Sequence, residues 1–368
     1  MSRLRVSVDH GAITRNVERL RAFTEAQVMA VVKADAYGHG LLESSRAARA
    51  GGASWLGVAQ PDEALALRDA GDTGRVLTWL YGPEVPAEAL VAADVDLSVS
   101  SLPVLERIVA AARETGRRAR LHLCIDTGLS REGVRPVDLG PLLDAALGAR
   151  AEGLVEVVGA WSHLAWADQP GHPTIDAQAG VFRGALEEIE GRGIALEVRH
   201  LANSAATLTR PDLHFDLVRP GIAIYGLPPV ADPAGVGFGL EPAMRVTASL
   251  ALVKDVEAGR GVSYGHDYVT PARTRLGLVT AGYADGVFRS AGNRAEIAVR
   301  GARHRIAGRV CMDQVVLDLG ADSPAVAGDT VVLIGPDGPS ATEWADAIGT
   351  IDYEIVCRFG CLREKTPV

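Results

Sequence analysis

Lys33 carries the strongest chemical potential in the sequence. It follows the apolar run Val28-Met29-Ala30-Val31-Val32 and leads into Ala34-Asp35-Ala36-Tyr37-Gly38-His39-Gly40. An ammonium at the end of an apolar strand is hard to bury. Either its stem snorkels the charge out to solvent, or the amine is held ready to attack a carbonyl as a nucleophile. The nearby Tyr37 and the glycines, with the tight Gly221-Ile222 turn further along, favour the second reading. A cofactor bearing one aldehyde and one phosphate would fit between such groups. Other polar residues end apolar runs in the same way: Asp126 to Arg131, His163, His200 to Ser204, and Arg219-Pro220.

These residues need a scaffold that gathers strand ends. Up to about residue 226, short β-branched strands alternate with amphipathic helical stretches. The strands start near Val28, Trp55, Arg75, Val95, Ala119, Val155, Leu196 and Asp216. Their near-continuous hydrophobicity suits strands buried on both faces. Eight such units favour a (β/α)8 barrel over an open doubly wound sheet, and a barrel collects reactive groups at the C-terminal ends of its strands. Helices are predicted between them, several opened by Pro, Asp or Ser and closed by Gly. The stretch 227–240, LPPVADPAGVGFGL, reads as a linker. Its Gly235-x-Gly237-x-Gly239 is no dinucleotide fingerprint, because Leu240 replaces the final glycine and no strand–turn–helix context surrounds it. From Met244 the pattern is strand after strand, with one predicted helix, SATEWADAIG, capped by Ser340 with Glu343 three residues on. The expected organisation is a barrel over 1–230 and a mainly antiparallel β domain over 240–368.

Composition narrows the function classes. The chain has 368 residues, 48% hydrophobic and 23% charged, which is ordinary globular usage. A net charge of −9 without a basic block argues against nucleic acid as the main partner. No run reaches the roughly 18 apolar residues of a membrane helix. The N-terminal residues lack the apolar core of a secretory signal, so a cytoplasmic location is expected. The four cysteines, Cys124, Cys311, Cys357 and Cys361, form no Cys-x-x-Cys pair and read as reduced thiols. None of the nine histidines forms a His-x-His pair, which weakens a metal-dependent barrel hydrolase.

VVKADAYGHG resembles the pyridoxal-phosphate lysine motif of bacterial alanine racemases. HLANSAA, RPGIAIYG, SYGHDY, GYADG and CMDQ resemble further blocks of that family, in the same order and across both halves of the chain. The resemblance implies a barrel joined to a β domain, and a homodimer whose sites are each completed by the partner's β domain. It implies that Lys33 holds pyridoxal 5'-phosphate through its amine, with Tyr37, Ser204, Gly221, Ile222 and Tyr353 around the phosphate and Asn203 among the cofactor-binding residues. His163 would lie against the cofactor ring. Arg219, supported by His200, would face the ring nitrogen. Arginine only donates and stays charged, so that nitrogen would be an unprotonated acceptor. The ring is then a weaker electron sink, which should suppress transamination. Racemisation needs two bases on opposite faces. The resemblance implies Lys33 and Tyr264, the latter from the partner. A free phenol titrates near about 10, so Tyr264 would need help, which a hydrogen-bond chain through His163 toward Arg219 could provide. Arg131 would meet the substrate carboxylate, with Met312, through its backbone N–H, and Asp313 reaching the same side across the dimer, and Tyr283 with Tyr353 would narrow the entrance to small side chains. The implied activity is interconversion of L- and D-alanine, supplying D-alanine for peptidoglycan.

Some positions depart from the pattern. Many members carry a carbamylated lysine where this chain has Cys124, so the usual anionic anchor of Arg131 is missing; either a bound anion or another side chain takes its place, or Arg131 sits differently. Ser130 replaces a usual glycine, and the tail CRFGCLREKTPV lacks the usual ending. A racemase of another small amino acid in a biosynthetic pathway therefore stays open. A non-catalytic pyridoxal-phosphate carrier is disfavoured by the SYGHDY block, and a related decarboxylase by the joint presence of the Arg219, SYGHDY and CMDQ blocks.

Overall fold

A computed structural model describes residues 4–230, 237–360 and 365–367. Cys361 and the centre of the expected linker lie outside the described residues. The chain divides into two compact units. One comprises residues 13–36 and 41–241; the other combines residues up to Ala12, Tyr37–Gly40 and those from Pro242 onward.

The first unit is a (β/α)8 barrel. Following the N-terminal strand β1 (Leu4–Val8), its strands are β2 (Gln27–Val31), β3 (Trp55–Val58), β4 (Arg75–Thr78), β5 (Asp96–Val99), β6 (Ala119–Cys124), β7 (Val155–Trp161), β8 (Val198–His200) and β9 (Leu217–Val218). All pair in parallel in the order β8-β7-β6-β5-β4-β3-β2-β9. The ring closes between β8 and β9 through Asp216 N to Arg199 O (3.1 Å) and Arg219 N to Ala202 O (2.8 Å). Met29, Trp55, Leu77, Val198 and Leu217 pack together inside. Strands such as β3 and β5 are buried at every residue, which explains their unbroken apolar runs. The eighth strand is shorter than its sequence suggests. Pro220 has no N–H to extend the ladder, and Ile222–Tyr225 turn into a 3-10 helix.

The second unit is built on an eight-stranded sheet. Its strands are β1, β10 (Met244–Val256), β13 (Thr274–Val279), β14 (Glu296–Val299), β15 (Ala302–Arg305), β16 (Val315–Asp318), β17 (Thr330–Ile334) and β18 (Lys365–Pro367), with a separate hairpin of β11 (Gly261–Val262) and β12 (Tyr268–Val269). Most pairs are antiparallel, and β18 joins β1 in parallel. Here the structure departs from the expected boundary at residue 1. Strand β1 pairs with β10, not with the barrel. Its sequence LRVSV alternates buried and less buried positions, the pattern of a sheet with one covered face, unlike the barrel strands. The capping box at Ser340 and Glu343 forms as predicted, opening the helix Ala341–Ile348. That helix is not alone, however. A second helix, Asp352–Gly360, follows it, and Trp344 meets Phe359 edge-on at 5.8 Å. No helix among the described residues is long and apolar enough to cross a membrane.

Candidate active site at the barrel mouth

Strand β2 ends at Val31, and the chain then enters an unusual turn. Ala34, Asp35, Ala36 and Tyr37 all have φ between 53° and 55°, so the short helix Lys33–Gly38 is left-handed from Ala34 onward and not a continued strand. Left-handed backbone costs a residue with a Cβ about 1–2 kcal/mol. Four in succession need external support, and such strain concentrates where function demands it. Ala36 N donates to Val32 O, Leu41 N to the Asp35 carboxylate (2.7 Å), and Ala34 N to Glu63 Oε1 (2.5 Å). Half-buried Lys33 leaves this turn with Nζ 6.0 Å from the Trp79 ring centre.

Arg219, after β9, is 5% exposed. Its Nη2 donates to Ser162 O (2.7 Å) and faces His163 Nδ1 (3.3 Å), while Nη1 faces His200 Nδ1 (3.4 Å). The guanidinium also lies over Trp161 at 5.2 Å. No carboxylate hydrogen-bonds it among the described residues. Burial pulls it down to about 10, despite the nearby Cys124 and Glu132. Of five N–H groups, Nε and one on Nη1 remain to donate. A buried cation with spare donors and no counter-ion is suited to a ligand acceptor.

Arginine cannot accept, so His163 and His200 must each present an unprotonated Nδ1 to it. Both imidazoles are held neutral. Burial first, then the charges of Arg219, Arg131 and Lys33, push His163 down to about 3. Burial and Arg219 push His200 well below its usual range. The unfolded chain binds a proton on His163 near pH 6.5, the folded chain only near 3. His163's contribution to stability is therefore complete above about pH 6.5 and lost as the pH falls toward 3, by at most about 1.4 kcal/mol per unit. Urea midpoints at pH 7 and 5 should fall further for the wild type than for His163→Gln.

Beside β8 and β9 lies a small cradle of donors. Asn203 caps the short helix Ser204–Thr209 through Ala206 N (3.1 Å). Ser204 Oγ accepts from Gly221 N (2.8 Å) and Ala223 N (3.4 Å), which leaves its O–H to donate. Ile222 is fully buried, yet its N–H meets no acceptor among the described residues. These are donors of the kind an anionic phosphate takes. In the other unit, Tyr37 and Tyr353 approach with ring centres 6.0 Å apart. Burial, and then Tyr353 and Cys357, push Tyr37 well above the usual phenol range, so it stays a donor.

The loop after β6 answers the question raised by Cys124. That thiol is buried, and burial together with Glu132 raises its pKa, so it carries no anion. Arg131 instead pairs with Glu132 at 2.7 Å, a neighbour the sequence reading did not single out. Asp126 Oδ1 accepts from Gly128 N and Ser130 N, both at 3.0 Å. Ser130 has φ 55°, the left-handed conformation that glycine adopts freely, which makes the serine a strained replacement.

The remaining candidates cluster in the β unit. Gly282 allows a close approach: a Cβ there would stand 2.3 Å from Met312 O. Tyr283 N donates to Cys311 O (3.0 Å) and Ala284 N to Met312 O (2.9 Å), tying Tyr283 to Met312. Ser263 Oγ donates to Arg309 O (2.7 Å), anchoring the turn that carries Tyr264 to the same segment. Tyr264 is 68% exposed and Met312 55% exposed, and Asp313 is exposed as well. Tyr283 is half-buried.

Known proteins match over nearly the whole chain. The family described as alanine racemase, N-terminal domain, matches residues 8–229, and alanine racemase, C-terminal domain, matches residues 243–365. An alanine racemase of Salinispora tropica is 55% identical over 361 residues, 97% of this chain and 96% of its own. One from Streptomyces coelicolor is 52% identical over 370 residues, 97% of this chain and 94% of its own. The crystal structure of alanine racemase from D-cycloserine-producing Streptomyces lavendulae superposes with a TM-score of 0.96 at 49% identity, covering 100% of this chain and 97% of that one. With both domain families matched and relatives above half identity, this chain belongs to the alanine racemase family.

Proposed function

We propose that the protein interconverts L- and D-alanine using pyridoxal 5'-phosphate, in the cytoplasm, as a homodimer that supplies D-alanine for peptidoglycan. One observation carries the reading: Arg219 is buried with no carboxylate hydrogen-bonded to it among the described residues, has donors to spare, and is flanked by two imidazoles held neutral, one of them, His163, under the charge of Lys33 as well.

When bound, pyridoxal phosphate supplies an electron sink that acidifies the α hydrogen of an attached amino acid. Lys33 Nζ is the amine that tethers it. The Ser204 hydroxyl and Ile222 N–H, beside Gly221 and Asn203, bind the phosphate, with Tyr37 and Tyr353 assigned to the same group by the family motifs. Arg219 donates to the ring nitrogen and, having no acceptor, leaves it unprotonated. His163 Nδ1 accepts from Arg219, so its Nε2 carries hydrogen. Arg131, steadied by Glu132, meets the substrate carboxylate, together with the N–H of Met312 of the partner subunit and Asp313 of the partner subunit. Lys33 Nζ takes or returns the proton on one face, and Tyr264 of the partner subunit does so on the other. The exposure of Tyr264 and Met312 supports that assignment, since both are available for a second copy to use. Tyr283 and Tyr353 narrow the entrance.

The test is to load purified protein with pyridoxal phosphate and present a panel of L-amino acids, read by chiral chromatography. Alanine should racemise fastest. Serine or a larger amino acid turned over in preference would contradict the substrate assignment.

A further inference from the structure

A line of buried polar groups runs behind Arg219 through the barrel. His200 Nε2 lies 2.9 Å from His122 Nδ1, and His122 Nε2 lies 3.4 Å from Asp96 Oδ1. Asp96, His122 and His200 are each 0% exposed. They stand on β5, β6 and β8, with His200 stacked at 7° on Trp161 and His122 edge-on to Trp55. Space for the central ring is provided by Gly159 on β7, where a Cβ would stand 2.3 Å from His122 Nδ1.

The proton positions in this line follow from its ends. Arg219 can only donate, so His200 Nδ1 accepts and its hydrogen sits on Nε2. His200 Nε2–H then donates to His122 Nδ1, which places the His122 hydrogen on Nε2. That atom makes no well-formed hydrogen bond among the described residues and faces the Asp96 carboxylate. The carboxylate is held by Arg75, with Nε to Oδ2 at 3.0 Å, and by Arg120, with Nε to Oδ1 at 3.2 Å. Burial opposes its ionisation, but His122 and Arg75 more than offset this, so Asp96 stays charged. A line with a carboxylate at one end and a guanidinium at the other has one proton arrangement. Reversing His200 would set donor against donor at Arg219, and reversing His122 would set two N–H groups against each other between the rings and turn an unprotonated Nε2 toward the Asp96 carboxylate.

We propose that Asp96 and His122 are positioning residues that fix, through His200, the orientation of Arg219 toward the coenzyme ring nitrogen. This rests on the placement of Arg219 given under the proposed function. Such supporting partners commonly tune a site by about 10–100-fold.

Two substitutions at His122 separate positioning from packing. Glutamine can accept at Oε1 and donate at Nε2, as the required imidazole does. Phenylalanine keeps the ring shape and has neither group. In pyridoxal-phosphate-loaded enzyme labelled with 15N-histidine, wild-type His122 and His200 should both show the neutral tautomer protonated at Nε2. His122→Phe should release His200 into a second tautomer, shift the visible band of the bound coenzyme and lower kcat for alanine by about 10-fold with little change in KM. His122→Gln should keep the His200 tautomer and recover most of kcat. Finding His200 protonated at Nδ1 in the wild type, or His122→Phe matching wild type in tautomer and kcat while His122→Gln fails, overturns the proposal. Should His122→Phe not fold, the wild-type tautomers and His122→Gln still decide it. A wild-type chain that shows these tautomers but binds no coenzyme would sink the functional reading and leave the relay standing.

Discussion

Lys33→Ala should abolish the visible absorbance of protein-bound pyridoxal phosphate and lower alanine racemisation by more than about 10⁴-fold. The substitution removes two things at once. It deletes the amine that tethers the coenzyme, and it deletes one of the two proton carriers, a role worth about 10²–10⁴-fold by itself. Folding should survive, because Lys33 is only half-buried and its backbone lies outside the left-handed stretch that follows. Thermal melts of wild type and variant should therefore be similar without coenzyme. Partial recovery of turnover by added methylamine would localise the loss to the missing amine. A variant that still formed the band and racemised alanine would place the anchor elsewhere.

Tyr264→Phe should lower racemisation by about 10²–10⁴-fold while leaving the coenzyme bound. The phenol is exposed on one chain, so removing its hydroxyl disturbs no packing there. The diagnostic is asymmetry. In deuterated water, one alanine enantiomer should still exchange its α hydrogen, through Lys33, and the other should not. Equal loss for both enantiomers would point to a structural effect, and no loss for either would point to a single-base mechanism. The same variant mixed with Lys33→Ala chains should regain activity, since mixed dimers contain one site with both intact residues. Failure to complement would contradict a shared site.

Much of the barrel was legible because its strands are buried on both faces and so read as continuous apolar runs between capped helices. Strands β10, β13, β14, β16 and β17 were legible as successive apolar runs, whereas β11 and β12, two residues each, are too short to carry an alternation. What sequence reading missed has local causes. Strand β1 precedes the barrel in the chain, yet its alternating LRVSV belongs to a sheet with one covered face. The second C-terminal helix, Asp352–Gly360, spans only nine residues and lacks the strong capping signature that marked Ser340. The left-handed turn after Lys33 has no signal in residue type, since Ala, Asp, Ala and Tyr ordinarily avoid positive φ. Part of its support comes from Glu63, 29 residues further along the chain.

The site was legible where a residue type constrains chemistry by itself. An arginine can only donate, so the groups that face it must accept, and the tautomers of His163 and His200 follow from that. Glu132 was not legible as the partner of Arg131, because a glutamate beside an arginine is commonplace. Cys124 marked only the loss of the usual anion. Asp96 and His122 were equally hidden. Each sits inside a strand that reads as plain barrel wall, and only the closed ring brings β5, β6 and β8 side chains into line.

The most direct measurement is to incubate the coenzyme-loaded protein with L-alanine in deuterated water and follow both enantiomers and their α deuterium. The account predicts convergence on equal amounts of L- and D-alanine, the newly formed D-alanine carrying deuterium at the α carbon. Absence of D-alanine, with the coenzyme demonstrably bound, would contradict it.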